Sequence, residues 1–89
     1  MIEVFQSGAF RRAYKKLHSN QKAAVDDAVT AIVPDSMVGE AKKGDLAGAY
    51  VYKFDCVGRL LLLAYECDPE TRLLLLVGTQ ENFYRELKR

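Results

Sequence analysis

A small α+β fold, with a helical hairpin laid on a mainly antiparallel sheet, is what the sequence predicts, and three observations predict it. The first is the stretch from Arg59 to Gly78, where two apolar runs, Leu-Leu-Leu-Leu-Ala-Tyr-Glu-Cys and Leu-Leu-Leu-Leu-Val, flank a polar turn containing Pro69. Each run is strand-length and short for a helix, and Pro69 cannot continue a central strand, so residues 60–67 and 73–77 read as a β-hairpin. The second is helical spacing upstream. Phe10, Ala13, Tyr14 and Leu17 share one helix face, and Val25, Ala28, Val29, Ile32 and Val33 repeat the pattern until Pro34 stops it. The third is the alternation of Tyr50, Tyr52 and Phe54 against Val51 and Lys53, a strand with an aromatic face.

Taken in order, residues 1–6 alternate weakly and suit a short edge strand. Ser7-Gly8 breaks it, and Ser7 caps the helix after it. The helices are expected over 9–17 and 21–33, joined at His18-Ser19-Asn20, with Ser19 or Asn20 starting the second. Residues 35–48 form a loop carrying Gly39, Gly44 and Gly48 and the pair Lys42-Lys43, which reads as a plain loop charge pair. A strand over 49–54, a turn over 55–58, the hairpin, and about two turns of helix over 83–89 complete the order β-α-α-β-β-β-α, with four strands.

The 89 residues amount to one domain with a modest core. The 13 Lys and Arg nearly balance 12 Asp and Glu, so no nucleic-acid partner is required by net charge. Their distribution is uneven: Arg11, Arg12, Lys15, Lys16 and Lys22 have no acid between them, and Arg85, Lys88 and Arg89 crowd the last turn. Such local patches bind phosphates. No apolar leader or membrane-spanning run is present, and Cys56 and Cys67 are expected to be reduced thiols, so the expected location is cytoplasmic, with no membrane partner. The single histidine, His18, reads as an exposed helix-end residue. With no Cys-x-x-Cys, Gly-rich phosphate loop or nucleophile elbow, neither a metal nor a cofactor is expected. The leucine runs are apolar on both faces. The helices cover one; the other is expected to be a groove or a partner surface.

Three stretches carry a resemblance: Gly-Asp-Leu-Ala-Gly-Ala-Tyr-Val-Tyr-Lys-Phe (44–54), Leu-Leu-Ala-Tyr-Glu (62–66) and Val-Gly-Thr-Gln-Glu-Asn-Phe-Tyr-Arg-Glu-Leu-Lys-Arg (77–89). With the strand and helical hairpin before them, the chain resembles the RelE/ParE superfamily of toxins from type II toxin–antitoxin modules over essentially its whole length. The resemblance implies a cognate antitoxin partner. It also implies one of two actions: ribosome-dependent cleavage of mRNA, using the RNA 2′-hydroxyl and no metal, or non-catalytic, ParE-like inhibition of DNA gyrase. An inactive antitoxin-binding homologue is the remaining alternative. It places the first strand beside the second or in mid-sheet, with a parallel contact possible.

The family's residues carry over in part. Lys53 matches its basic position on the second strand, and Tyr84 its C-terminal tyrosine. Where the family has an arginine three residues before the strand tyrosine, this chain has Leu62; where it has Arg or His two residues after the last strand's glycine, this chain has Gln80. Gln80 can hydrogen-bond a phosphate but brings no charge. The expected catalytic set is Lys53, Arg59, Gln80, Tyr84 and Arg85, with Arg59 as the substitute cation. Hairpin connectivity is expected to bring all five to one concave surface. Arg11, Arg12, Lys15, Lys16, Lys42, Lys43 and Arg89 are the expected RNA contacts.

Overall fold

The central hairpin is β4 (Arg59–Asp68) against β5 (Thr71–Thr79), in a computed structural model that describes residues 2–81 and 83–87. Its turn is Pro69-Glu70 alone, so both strands run further than the apolar residues mark. Around it the order is β1 (Glu3–Gln6), α1 (Gly8–Lys15), α2 (Ser19–Ile32), β2 (Glu40–Ala41), β3 (Tyr50–Cys56), β4, β5 and α3 (Phe83–Leu87). The sheet has five strands, ordered β1-β5-β4-β3-β2. β1 runs parallel to β5, and the other pairs are antiparallel.

Two expectations are corrected by the sheet. It has a fifth strand, because Glu40 and Ala41, within the expected loop, pair with Val51 and Tyr50. And β1 lies neither beside the second strand nor in mid-sheet; it is the edge, with Glu3 opposite Thr71 and Gln6 opposite Leu74. Smaller shifts arise from local chemistry. The β3–β4 turn is two residues, Val57 and Gly58, both at positive φ (52° and 78°). That matches the right-handed twist of the flanking strands, so Asp55 and Cys56 stay in the ladder. α2 starts at Ser19 because the Gln21 side chain accepts the His18 N–H at 3.0 Å, closing the first turn from outside. Ser7 does cap α1: its Oγ accepts from Phe10 N–H at 3.0 Å and donates to the Leu75 carbonyl at 2.7 Å. Met1, Asn82, Lys88 and Arg89 lie outside the described residues.

The two sheet faces hold separate cores. On the helical face Phe10, Val25, Ala28 and Ile32 of α1 and α2 bury Leu63, Tyr65, Leu74 and Val77, with Tyr50, Tyr52 and Phe54 beside them. On the second face Val51, Leu62, Ala64 and Leu76 pack with Phe83 of α3. Plain alternation would put Leu74 and Leu76 together. A bulge prevents it: Ala64 pairs with Leu76 but Tyr65 with Leu74, leaving Leu75 as the extra residue. Leu74 therefore joins the helical core and Leu76 the other.

Tyr65 ties the loop after α2 to the sheet. It has no exposed surface, donates to the Ser36 carbonyl at 2.7 Å and accepts from Gly39 N–H at 3.0 Å. A Cβ on Gly39 would stand 2.6 Å from the Tyr65 hydroxyl, so glycine is required there. Burial raises the Tyr65 pKa above its ordinary 10.0. A folded-state pKa above the unfolded one gives stability that is complete below pH 10 and lost as pH climbs through the folded value. Tyr65→Phe is expected to cost about 1–2 kcal/mol in urea unfolding at pH 8, from two lost partners. It should also shrink the alkaline loss of stability; the remainder includes Tyr14, whose hydrogen bond to Asp26 raises its pKa too. An alkaline profile identical to that of the parent chain would show that Tyr65 does not carry the linkage. No described helix is long and apolar enough to cross a membrane.

Candidate functional site

Antiparallel pairing builds a row across the second face: Lys53 opposite Leu62, and Leu62 opposite Gly78. Two residues along, about 7 Å away, a parallel row holds Glu40, Val51, Ala64 and Leu76. β2 continues past its last ladder pair, since Lys42 N–H donates to the Ala49 carbonyl at 2.9 Å, so Lys42 shares a face with Glu40. Over these rows lies α3, anchored by Phe83, which meets the Tyr84 ring edge-on with centroids 5.3 Å apart.

Four polar side chains meet there. Lys42 Nζ donates to Glu40 Oε1 at 2.6 Å and lies 5.3 Å from the centroid of the Tyr84 ring. The hydrogen bond to Glu40 is the main reason the Lys42 pKa is raised, and Tyr84 adds to it. The same bond is the main reason Glu40 is held below the usual carboxylate range, with Lys53 contributing through space. Two cations, a phenol and a carboxylate thus share one rim of the second face.

The expected residues divide. Lys53 lies on the second face one row from Glu40, and Lys42, expected only as an RNA contact, lies between Glu40 and the Tyr84 ring. Arg59 pairs with Cys56 at the hairpin tip. Alternation sets that pair toward the helical face, where Cys56 Sγ reaches the Asn20 carbonyl at 3.5 Å. Arg59 and Lys53 therefore leave the sheet from opposite faces. Gln80 follows β5 directly, is exposed, and its carbonyl accepts from Phe83 N–H at 3.3 Å. Arg85 is exposed on α3, while Arg89 lies outside the described residues. Arg11, Arg12 and Lys15 line a shallow depression on α1 with Gly8; Lys16 is exposed at its C-terminal cap, and Lys43 is exposed before a turn of 3-10 helix. Leu62, where the resemblance expects an arginine, is fully buried under α3.

Sequence reasoning missed Glu40, because a two-residue strand has no alternation to detect. It also missed Arg72, only 5% exposed, which donates to the carbonyls of Ile32, Val33, Asp68 and Thr71. Among the described residues no group of His, Cys, Asp and Glu could hold a metal ion. A cavity of about 590 Å³ is lined by Phe5 and Leu73 with Glu66 and Asp68. Its acidic lining suits a phosphate poorly.

The fold has close counterparts. The toxin–antitoxin complex RelBE2 from Mycobacterium tuberculosis matches with a TM-score of 0.76 at 24% identity, covering 89% of this chain and 98% of that one. The intact E. coli RelBE toxin–antitoxin complex matches at 0.71 and 15% identity, covering 89% and 96%. The YoeB/ParE toxin from Agrobacterium tumefaciens matches at 0.70 and 10% identity, covering 89% and 99%. At these identities the likeness is one of fold. No curated protein matches the chain in sequence. The sequence itself matches the family described as ParE-like toxin of type II bacterial toxin–antitoxin system over residues 4–88, and by that match the chain belongs to these toxins, within the RelE/ParE superfamily.

Proposed function

We propose that this toxin is a metal-independent endoribonuclease that cuts mRNA on the ribosome and is silenced by a cognate antitoxin. The observation that supports the reading is that Lys42 and Tyr84 meet beside Glu40, with Lys53 on the same face one row away. Cleavage of this kind needs no group from the protein in the new bond. The RNA 2′-oxygen attacks the adjacent phosphorus, the bond to the 5′-oxygen of the next nucleotide breaks, and a proton passes from the first oxygen to the second. The protein's part is to hold the phosphate and offset the charge that builds on its oxygens. In this reading two ammonium groups serve that role, and the Tyr84 hydroxyl hydrogen-bonds the phosphate or the leaving oxygen. The basic face of α1 suits contact with RNA backbone beyond the cut. An antitoxin partner is supported by family membership, and by the exposed Val4 and Phe5 on the edge strand, which favour a segment that covers apolar surface.

A substrate with a 2′-deoxy nucleotide at the cut site is expected to survive, because its nucleophile is absent, and chelators are expected to change nothing. Lys53→Ala and Tyr84→Phe are each expected to slow cleavage on the order of a hundredfold, with antitoxin binding intact. Arg59→Ala is expected to cost less, given its register. Cleavage of the 2′-deoxy substrate, or full activity in both variants, would refute the mechanism. The second reading, non-catalytic inhibition of gyrase, is favoured by Leu62 and Gln80 at positions where the nuclease members carry basic residues. It predicts that induction stops DNA replication before translation.

A further inference from the structure

We propose that Lys42, held at rest by Glu40, is the phosphate-contacting cation this chain uses in place of the basic residues expected at Leu62 and Gln80; the assignment rests on the nuclease reading. Three placements lead to it. Lys42 follows β2 on the same face as Glu40 and Lys53, so all three overhang the same leucine- and valine-lined patch. Its side chain is 18% exposed against 67% for Glu40, so the lysine is largely covered while its carboxylate partner is open to solvent. And it lies 5.3 Å from the centroid of the ring of Tyr84, the residue the resemblance nominates for catalysis.

The chemistry comes from the donor count. An ammonium offers three N–H donors, of which one goes to Glu40. A partly exposed Lys–Glu pair is weak, and an RNA phosphodiester, which carries the same single negative charge as the carboxylate, arrives on a strand whose other phosphates meet further basic residues at the same time. An RNA phosphate entering beside Tyr84 therefore displaces Glu40 and takes the Lys42 ammonium in a position already set by the aromatic ring. Lys53, two residues from Val51 along β3, supplies the second cation on the other side of Glu40. Glu40 is a positioning residue: it holds Lys42 at the rim when no RNA is bound and competes with the phosphate for it.

The competition gives a test that simple electrostatics fails. A 2′-O-methyl RNA oligonucleotide, which cannot be cut, is titrated into the parent chain, Lys42→Ala, Lys42→Arg, Glu40→Gln, and the variant with both Lys42→Ala and Glu40→Gln, at several salt concentrations. Lys42→Ala is expected to weaken binding about tenfold and lower the salt slope by about one. Lys42→Arg retains most of the affinity, and Glu40→Gln tightens binding severalfold. In the Lys42→Ala background Glu40→Gln is expected to change nothing, because its effect runs through Lys42. Lys42→Gln, which keeps the aliphatic stem, serves if the alanine variant unfolds. If Glu40→Gln tightens binding equally with and without Lys42, Glu40 is a general repulsive charge and the holding role is overturned. If the parent chain cuts RNA and Lys42→Ala and Lys42→Gln bind and cut as it does, the Lys42 assignment fails alone. If the parent neither binds nor cuts RNA, the nuclease reading fails and takes this assignment with it.

Discussion

Replacing Arg72 with alanine is expected to cost about 3 kcal/mol of unfolding free energy and to lower Tm by about 15 °C for a domain of this size. The reason starts in α2, which has no basic residue in its last turn and ends on Val33 in a right-handed conformation, followed by Pro34, not on a glycine cap. Its final carbonyls, and the negative end of its dipole, have no local partner. Arg72 supplies one from the sheet. Its Nε donates to the Ile32 carbonyl at 3.1 Å and an Nη to Val33 at 2.9 Å, while the other Nη reaches Asp68 and Thr71, each at 2.8 Å. One planar fork thus closes a helix end and the Pro69-Glu70 turn together. Arg72→Lys is expected to fall between parent and alanine, because a single ammonium cannot span carbonyls on both sides. Urea unfolding of the three proteins checks it. A loss below about 1 kcal/mol for the alanine variant, the scale of one ordinary hydrogen bond, would mean that water replaces the guanidinium without penalty.

Leu62→Arg is expected to unfold the second face without restoring anything. The resemblance makes this substitution look like a repair, since it returns an arginine to the place where the family has one. Leu62 has no exposed surface; it packs with Val51, Ala64, Leu76 and Phe83. A guanidinium there finds apolar neighbours and no carboxylate, and an uncompensated buried charge costs on the order of 4 kcal/mol. The way out for the side chain is past Phe83, which would lift α3 and carry Tyr84 away from Lys42. The expected result is lower stability and slower RNA cleavage in the same variant. A stable Leu62→Arg protein that cuts RNA faster than the parent would show that α3 yields its place at little cost, and would move the proposed phosphate-contacting cation from Lys42 back to the third-strand position.

The elements read from the sequence are those that repeat a period. The leucine runs, the Tyr50–Phe54 alternation and the two helical stripes are local patterns, and each became the element it resembles. What escaped was non-local or too short. Two residues of β2 carry no period, and nothing within residues 3–6 names β5 as their partner. Val57-Gly58 carries a β-branched residue at positive φ, so the two-residue turn was hidden behind a sequence that local propensity disfavours. The bulge at Leu75 is invisible in a run of identical leucines. At the site, connectivity correctly brings strand ends together, but only the parity of the ladder decides the face. That parity separates Arg59 from Lys53 and gathers Glu40 and Lys42 instead.

The placement of β1 bears on when this fold can exist. Its ladder partners are Thr71 to Leu74, and Ser7 Oγ bonds the Leu75 carbonyl across 68 positions of chain. Every other strand pairing joins segments close in sequence, so the β3–β4–β5 meander assembles from local contacts, whereas the edge strand closes a long loop and bears its entropy. A chain emerging from its own ribosome holds residues 3–6 unpaired until β5 appears, and α3, which brings Tyr84 to Lys42, follows later still. The rim of Lys42, Glu40 and Tyr84 is thus among the last features to assemble, and a growing chain lacks it until β5 and α3 have both emerged.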